Sequence, residues 1–268
     1  MKHIYERTAK YTKLGSLLTL VIYIALVFIF KDVMWKDFET HFMLGFSVCM
    51  LLGTSYFFQH AAEKLPDEKK IDSDYYSIQF PVNELNFQND VSLIPNSYLV
   101  SHTGERLYMI TPIKNEPIKR KLTAFAILKS GMFFPITYDL TTMDGRLVSH
   151  FTIKNKLKYM QLKVYDHTRS PISTVIMPIF SLKNKAVIFN ADDQKMHEMK
   201  AKSTYGDIDV NSFEGKRLAT YRFGMFPYAT HPAFEAQAMN THVSLASDLS
   251  HIEKLTFAAL FYYWTANQ

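Results

Sequence analysis

A chain of 268 residues that is 48% apolar has the material for a sizeable core, which excludes a disordered polypeptide. Its formal net charge of +5 leans toward anionic partners such as lipid headgroups or nucleic acid. The single cysteine, Cys49, excludes an intramolecular disulfide and, within an apolar run, reads as a small hydrophobe.

The N-terminal residues read as a membrane hairpin. Leu14 to Phe30 (LGSLLTLVIYIALVFIF) carries no charge; at 1.5 Å per residue it would cover roughly 26 Å, close to the ~30 Å hydrocarbon core of a bilayer. A second uncharged run, 42–62, follows a short polar link, and Gly45, Ser47, Gly53 and Ser55 are small residues at which a partner helix can approach. A cleaved signal peptide does not fit, because the first run is long, lacks a small-x-small site and is followed by a second span. Lys2, Arg7, Lys10 and Lys13 precede the first run, Lys31 and Lys36 separate the two, and Lys64, Lys69 and Lys70 follow the second. The positive-inside rule then puts both termini in the cytoplasm. The expected organisation is a multi-pass cell-membrane anchor over 1–63, an acidic linker over 64–74 and a cytosolic domain over 75–268.

That domain reads as antiparallel β. Strand-like runs alternate with turn chemistry: YLVS, His102-Thr-Gly-Glu105, RLYMI; FPITYDL, Met143-Asp-Gly145, RLVSHFTI; KYMQLKVYD, His167–Ser170, PISTVIMPIF; GDIDV, Asn211–Gly215, KRLATYRF; and a last strand over 234–245. Met160, Leu162 and Val164 fall on one face of their strand, with Gln161 and Lys163 on the other. About twelve strands are expected, and a sheet that wide, once closed, leaves a lumen too broad for its own side chains.

The final segment, SHIEKLTFAALFYYWTANQ, supplies a filling. Ser250 and Glu253 form a capping box that starts a helix. From Leu255 to Trp264 nearly every residue is apolar, so the helix must be enclosed on all sides, and the run is too short for a bilayer. The expectation is a closed antiparallel barrel around a buried C-terminal helix.

The hairpins with HTGE, MDGR and SFEGKRLA turns, followed by a strand and an SxxE-initiated hydrophobic helix, resemble the tubby C-terminal-like superfamily, which includes phospholipid scramblases and LURP-one-related proteins. The resemblance covers 75–268. It implies a barrel enclosing a central helix, with phosphoinositide binding or scrambling among the activities found there. The chain departs from scramblases in lacking a cysteine cluster and in carrying two N-terminal spans instead of one C-terminal anchor.

Motifs for chemistry are missing. HExxH, GxxxxGK[ST], strand-linked GxGxxG and GxSxG do not occur. Asp207-x-Asp209-x-Asn211 imitates a calcium loop but has Ser212 and Leu218 where Gly and Glu are needed. A non-catalytic protein without cofactor or metal is expected. Charge is the informative feature: 106–185 holds fourteen Lys and Arg against four acids, while the flanks 63–105 and 186–268 are net acidic. Lys114, Lys119, Arg120, Lys121, Lys154, Lys156, Lys158 and Lys163 are the candidate anion-binding residues. Beside a bilayer each such charge attracts anionic lipid by about 1 kcal/mol. The leading expectation is binding or sensing of anionic headgroups; the alternatives are a tethered scaffold for a protein partner and a scramblase-like activity. Membrane spans make nucleic acid an implausible ligand.

Overall fold

A computed structural model describes residues 1–30, 38–67, 83–92, 94, 96–124, 131–156, 158–178, 185–201, 207–224, 231–234, 236–237 and 240–266. Most of the expected acidic linker and much of the polar link between the apolar runs lie outside these residues.

Two long helices open the chain, α1 (Lys2–Ile29) and α2 (Phe38–Glu63), both long and apolar enough to cross a membrane. They pack antiparallel: the Ser55 hydroxyl donates to the Ala9 carbonyl at 2.8 Å, and Tyr23 meets His41 at 2.6 Å. Ser55 lies at the contact as expected, but the glycines do not: a Cβ on Gly45 or Gly53 would touch nothing, and Ser47 is exposed. Gly45, Ser47 and Gly53 therefore face out from the hairpin.

Twelve strands close into an antiparallel meander in which each strand pairs with its chain neighbours and β1 pairs with β12. They are β1 (Glu84–Asn89), β2 (Ser97–Val100), β3 (Arg106–Pro112), β4 (Ile136–Thr142), β5 (Leu147–Asn155), β6 (Tyr159–Asp166), β7 (Pro171–Pro178), β8 (Lys185–Asn190), β9 (Lys195–Ala201), β10 (Ile208–Ser212), β11 (Arg217–Gly224) and β12 (Asn240–Leu245). The alternation read from the sequence holds: Met160, Leu162 and Val164 are fully buried, while Lys163 is exposed. Two elements differ from expectation. A short helix, α3 (Pro117–Leu122), interrupts the β region, and Phe234 belongs to a 3-10 turn (Pro232–Phe234), so the last strand starts at Asn240.

The five hairpin turns at one end of the barrel share one construction. Ser101, Thr142, Asp166, Asn190 and Ser212 each accept from the backbone N–H three residues on and donate their own N–H to the carbonyl four residues on. Each also accepts, through its side-chain oxygen, the N–H of that fourth residue at 2.8–3.2 Å. The third residue is left-handed each time: Gly104, Gly145, Arg169, Asp193 and Gly215. A Ser, Thr, Asp or Asn that mimics the backbone bond, followed by a residue at positive φ, closes a three-residue hairpin without splaying its strands. These turns and the 246–250 link make a tight rim; at the opposite, loose rim lie the described residues 90–92, 113–124, 131–135, 156 and 158.

From the tight rim begins α4 (His251–Ala266), started as the sequence predicts: the Ser250 N–H and hydroxyl donate to Glu253 at 2.8 and 2.6 Å, and the Glu253 N–H returns to the Ser250 hydroxyl. Every residue from Lys254 to Tyr263 is buried. Tyr262 meets Tyr138 of β4 and Phe151 of β5, Thr256 hydrogen-bonds Ser173 of β7 at 2.6 Å, Phe257 meets His197 of β9, and Phe261 stacks on Tyr221 of β11 at 5.6 Å. One apolar cluster joins the helix to the buried faces of the strands. That dry setting pushes the Tyr221 hydroxyl up to about 12.

Phe261→Ala should therefore lower stability by about 3–5 kcal/mol in denaturant titration of the detergent-solubilised chain, whereas Ile252→Ala, on the exposed start of the same helix, should stay within about 0.5 kcal/mol. Burial alone would raise the Glu253 carboxyl, but hydrogen bonds from Ser250 and pairing with His197 hold it below its ordinary 4.5. Its folded value being depressed, its stabilisation is present above pH 4.5 and lost as pH falls through the folded value. Glu253→Gln should thus lose its disadvantage relative to the parent chain as unfolding is measured at progressively lower pH.

Candidate membrane-facing surface

A second apolar cluster lies outside the barrel, where the base of the hairpin meets the outer wall of β2. Met1, Ile4 and Tyr5 of the α1 end, Ala62 and Leu65 at the end of α2, Tyr98 and Val100 on β2, and Ala233 and Phe234 of the 3-10 turn are all buried together. The Met1 nitrogen donates to the Gly104 carbonyl at 3.0 Å and the Tyr5 hydroxyl to the Ala233 carbonyl at 2.8 Å. Gly104 has φ +86, and a Cβ there would run into Ala233, so the seam needs glycine for both shape and space. Arg7 then pairs with Asp90 at 2.6 Å, with the Asp90 side chain 0% exposed. Burial also pushes the Tyr98 hydroxyl up beside this pair.

These contacts orient the hairpin. Gly104 belongs to a tight-rim turn and Asp90 to a loose-rim connection, so the two sit at opposite ends of β2. The span between them is about five residues of strand, or roughly 17 Å. Six residues of helix rise about 9 Å, and an arginine side chain adds roughly 6 Å. Only a helix running broadly along the wall from the tight rim toward the loose one reaches both. Continued in that direction, α1 leaves the barrel past the loose rim, and the large apolar side chains Leu14, Leu17 and Leu18 that open the uncharged run are exposed.

The two rims differ in charge. Each tight turn or link carries at least one acid: Glu105, Asp144, Asp166, Asp192 with Asp193, Glu214, and Asp248. Bases share that rim, and some are neutralised, as in Arg146 with Asp144 at 2.8 Å and Lys216 with Asp248. The loose rim holds the cations picked out in the sequence. Lys114 is exposed in the turn after β3; Lys119, Arg120 and Lys121 form the last turn of α3, where Lys119 pairs with Glu116 at 3.0 Å. Lys154 ends the outer face of β5, and Lys156 and Lys158 occupy the β5–β6 connection. The Lys156 ammonium donates to the Tyr159 hydroxyl at 2.6 Å, 4.8 Å from a ring centroid. Only β4 separates the two groups, a distance of about 10 Å at the usual strand spacing. Lys163 is apart from them, midway down the outer wall of β6 opposite Thr152. Lys129 and Lys183 lie outside the described residues.

The Asp207–Asn211 stretch proves to be structural. Asp209 is buried on the outer wall of β10 and paired with Arg222 at 2.5 Å. Among the described residues no three His, Cys, Asp or Glu side chains group as metal ligands. What the sequence left unseen is the seam itself, since its residues come from five separated segments; Tyr98 and Val100, apolar on both faces of a short strand, were its one local sign.

No known protein family, curated protein or solved structure matches this chain.

Arg7→Ala leaves the Asp90 carboxylate buried without its partner and should cost about 3 kcal/mol. The loss should appear as faster amide exchange in β2 and at the end of α2. Removing both charges in Arg7→Ala/Asp90→Ala should recover much of it, which a double-mutant cycle measures.

Proposed function

We propose that the chain is a non-catalytic membrane protein whose hairpin crosses the bilayer twice and whose barrel rests its loose rim on anionic headgroups of the cytoplasmic leaflet. In this reading the barrel is tubby-like, with α4 as the filling of its lumen and both ends of the hairpin on the cytoplasmic side. One observation carries it: the Gly104-to-Asp90 course of α1 points the span past the same rim that holds Lys114, Lys119, Arg120, Lys121, Lys156 and Lys158. From Arg7 to Leu14 the helix rises about 10 Å. The headgroup layer is roughly 5–8 Å deep on each side of a bilayer. Lysine side chains projecting from the rim therefore reach it. Attraction of about 1 kcal/mol per charge falls off within a Debye length of about 8 Å at physiological salt, so contact at this range is what gives the rim its effect. The acid-bearing turns lie on the far rim, which keeps their repulsion away from the leaflet.

In nanodiscs carrying phosphatidylserine, amides of 113–124 should gain protection from exchange relative to phosphatidylcholine discs, and lose it at high salt. Reversing Lys119, Arg120 and Lys121 to Glu removes attraction of about 3 kcal/mol and should abolish the gain. Equal protection in that variant would count against headgroup binding and favour a scaffold role for the barrel.

A further inference from the structure

The loose rim also carries exposed apolar side chains that headgroup attraction does not explain. Ile118 is 75% exposed on α3, Met132 56% and Phe133 70% in the approach to β4, and Val91 43% beside Asp90. Ile118 adjoins Lys119 in α3, Met132 and Phe133 follow the Gly131 bond to Asn155 between Lys154 and Lys156, and Val91 adjoins Asp90, the partner of Arg7. Their display is built in. Gly131, at φ +77, accepts the Asn155 N–H at 2.9 Å and is pressed against the Ile153 backbone, where a Cβ would approach the carbonyl to 2.5 Å. That anchorage ties the 131–133 corner to the loose-rim end of β5 while Phe134 turns back to pack against the core. Met132 and Phe133 are left pointing away from the protein by a fixed backbone.

We propose that Ile118, Met132 and Phe133 form a membrane wedge, entering the leaflet among the glycerol groups and upper acyl chains while the neighbouring lysines hold phosphates. The proposal rests on the reading that this rim faces the bilayer, and it adds a hydrophobic hold to the electrostatic one. The occupant is the same leaflet that receives the hairpin, because the surface is continuous with the exit of α1 at Asp90 and Val91. Bulky apolar side chains interleaved with basic ones fit an interface with hydrocarbon beneath and anionic groups above. An apolar face meant for another protein would have no reason to lie at the level where the spans enter lipid.

The test uses the full chain in vesicles. On a Cys49→Ser background, Ile118→Cys, Phe133→Cys, Lys119→Cys and Phe213→Cys are each labelled with an environment-sensitive fluorophore; Phe213, 54% exposed, sits on the tight rim as the aqueous reference. Ile118, Phe133 and Phe213 are each more than half exposed and Lys119 is partly covered by its pairing with Glu116, so folding is checked for each variant by the emission of the unlabelled chain. Labels at 118 and 133 should be blue-shifted and quenched several-fold more than at 213 by lipids spin-labelled on the upper acyl chain, in phosphatidylcholine alone and with phosphatidylserine added. If labels at 118 and 133 match 213 while a headgroup quencher still reaches 119 in anionic vesicles, the wedge is overturned and the headgroup reading stands. If neither quencher reaches 118, 119 or 133, the rim does not face the bilayer and both fall.

Discussion

The seam between α1 and the outer wall of β2 sets the orientation of everything else, because a helix that touches Gly104 at one end of the strand and Asp90 at the other has little freedom of direction. Its strength comes from different kinds of contact acting together. Ile4, Tyr5, Tyr98, Val100 and Phe234 exclude water; inside that dry patch an ion pair is costly to form and costlier to break, so its value lies in register more than in net stability. The Tyr5 hydroxyl to the Ala233 carbonyl adds a second directional bond. The connection between β11 and β12, which supplies Ala233 and Phe234, thereby acts as a brace that ties the closing strands to the anchor.

Within the barrel, local and tertiary chemistry agree. The five tight turns repeat one solution with different side chains, and where glycine is absent Arg169 and Asp193 take up the left-handed conformation, at a cost of about 1 kcal/mol for most residues. The strands they join present Tyr138, Phe151, Tyr221 and their apolar neighbours to α4. Because α4 meets strands as far apart in the meander as β4 and β11, its burial and the closure of the sheet depend on one another. Hydroxyls in this contact find partners, as with Thr256 and Ser173, or Thr265 donating to Tyr221 at 3.1 Å.

Much of this was legible in the sequence for physical reasons. Period-two alternation, a capping box and long uncharged runs are local signals, so β6, α4 and the two apolar helices could be read directly. Short α3 has no apolar period, only Pro117 at its first position and a basic last turn, so no local signal announces it. Phe234 looked like strand because it is aromatic, yet it is buried on the outside of the barrel. The basic residues are legible in the sequence, but their grouping in space is not: counting along the chain merges turns that alternate between opposite rims, so acids such as Asp144 and Asp166 stand mixed with lysines from which the fold separates them. Only the topology sorts them, and it leaves Lys163 out of the group.

No joint lies between barrel and hairpin on the α1 side: the helix that begins against β2 continues unbroken to Ile29. If α1 crosses a bilayer as proposed, its tilting to match a thinner one would carry the barrel with it as a lever, lifting one side of the rim and pressing the other down. Leaflet thickness and composition would then act on a single rigid body.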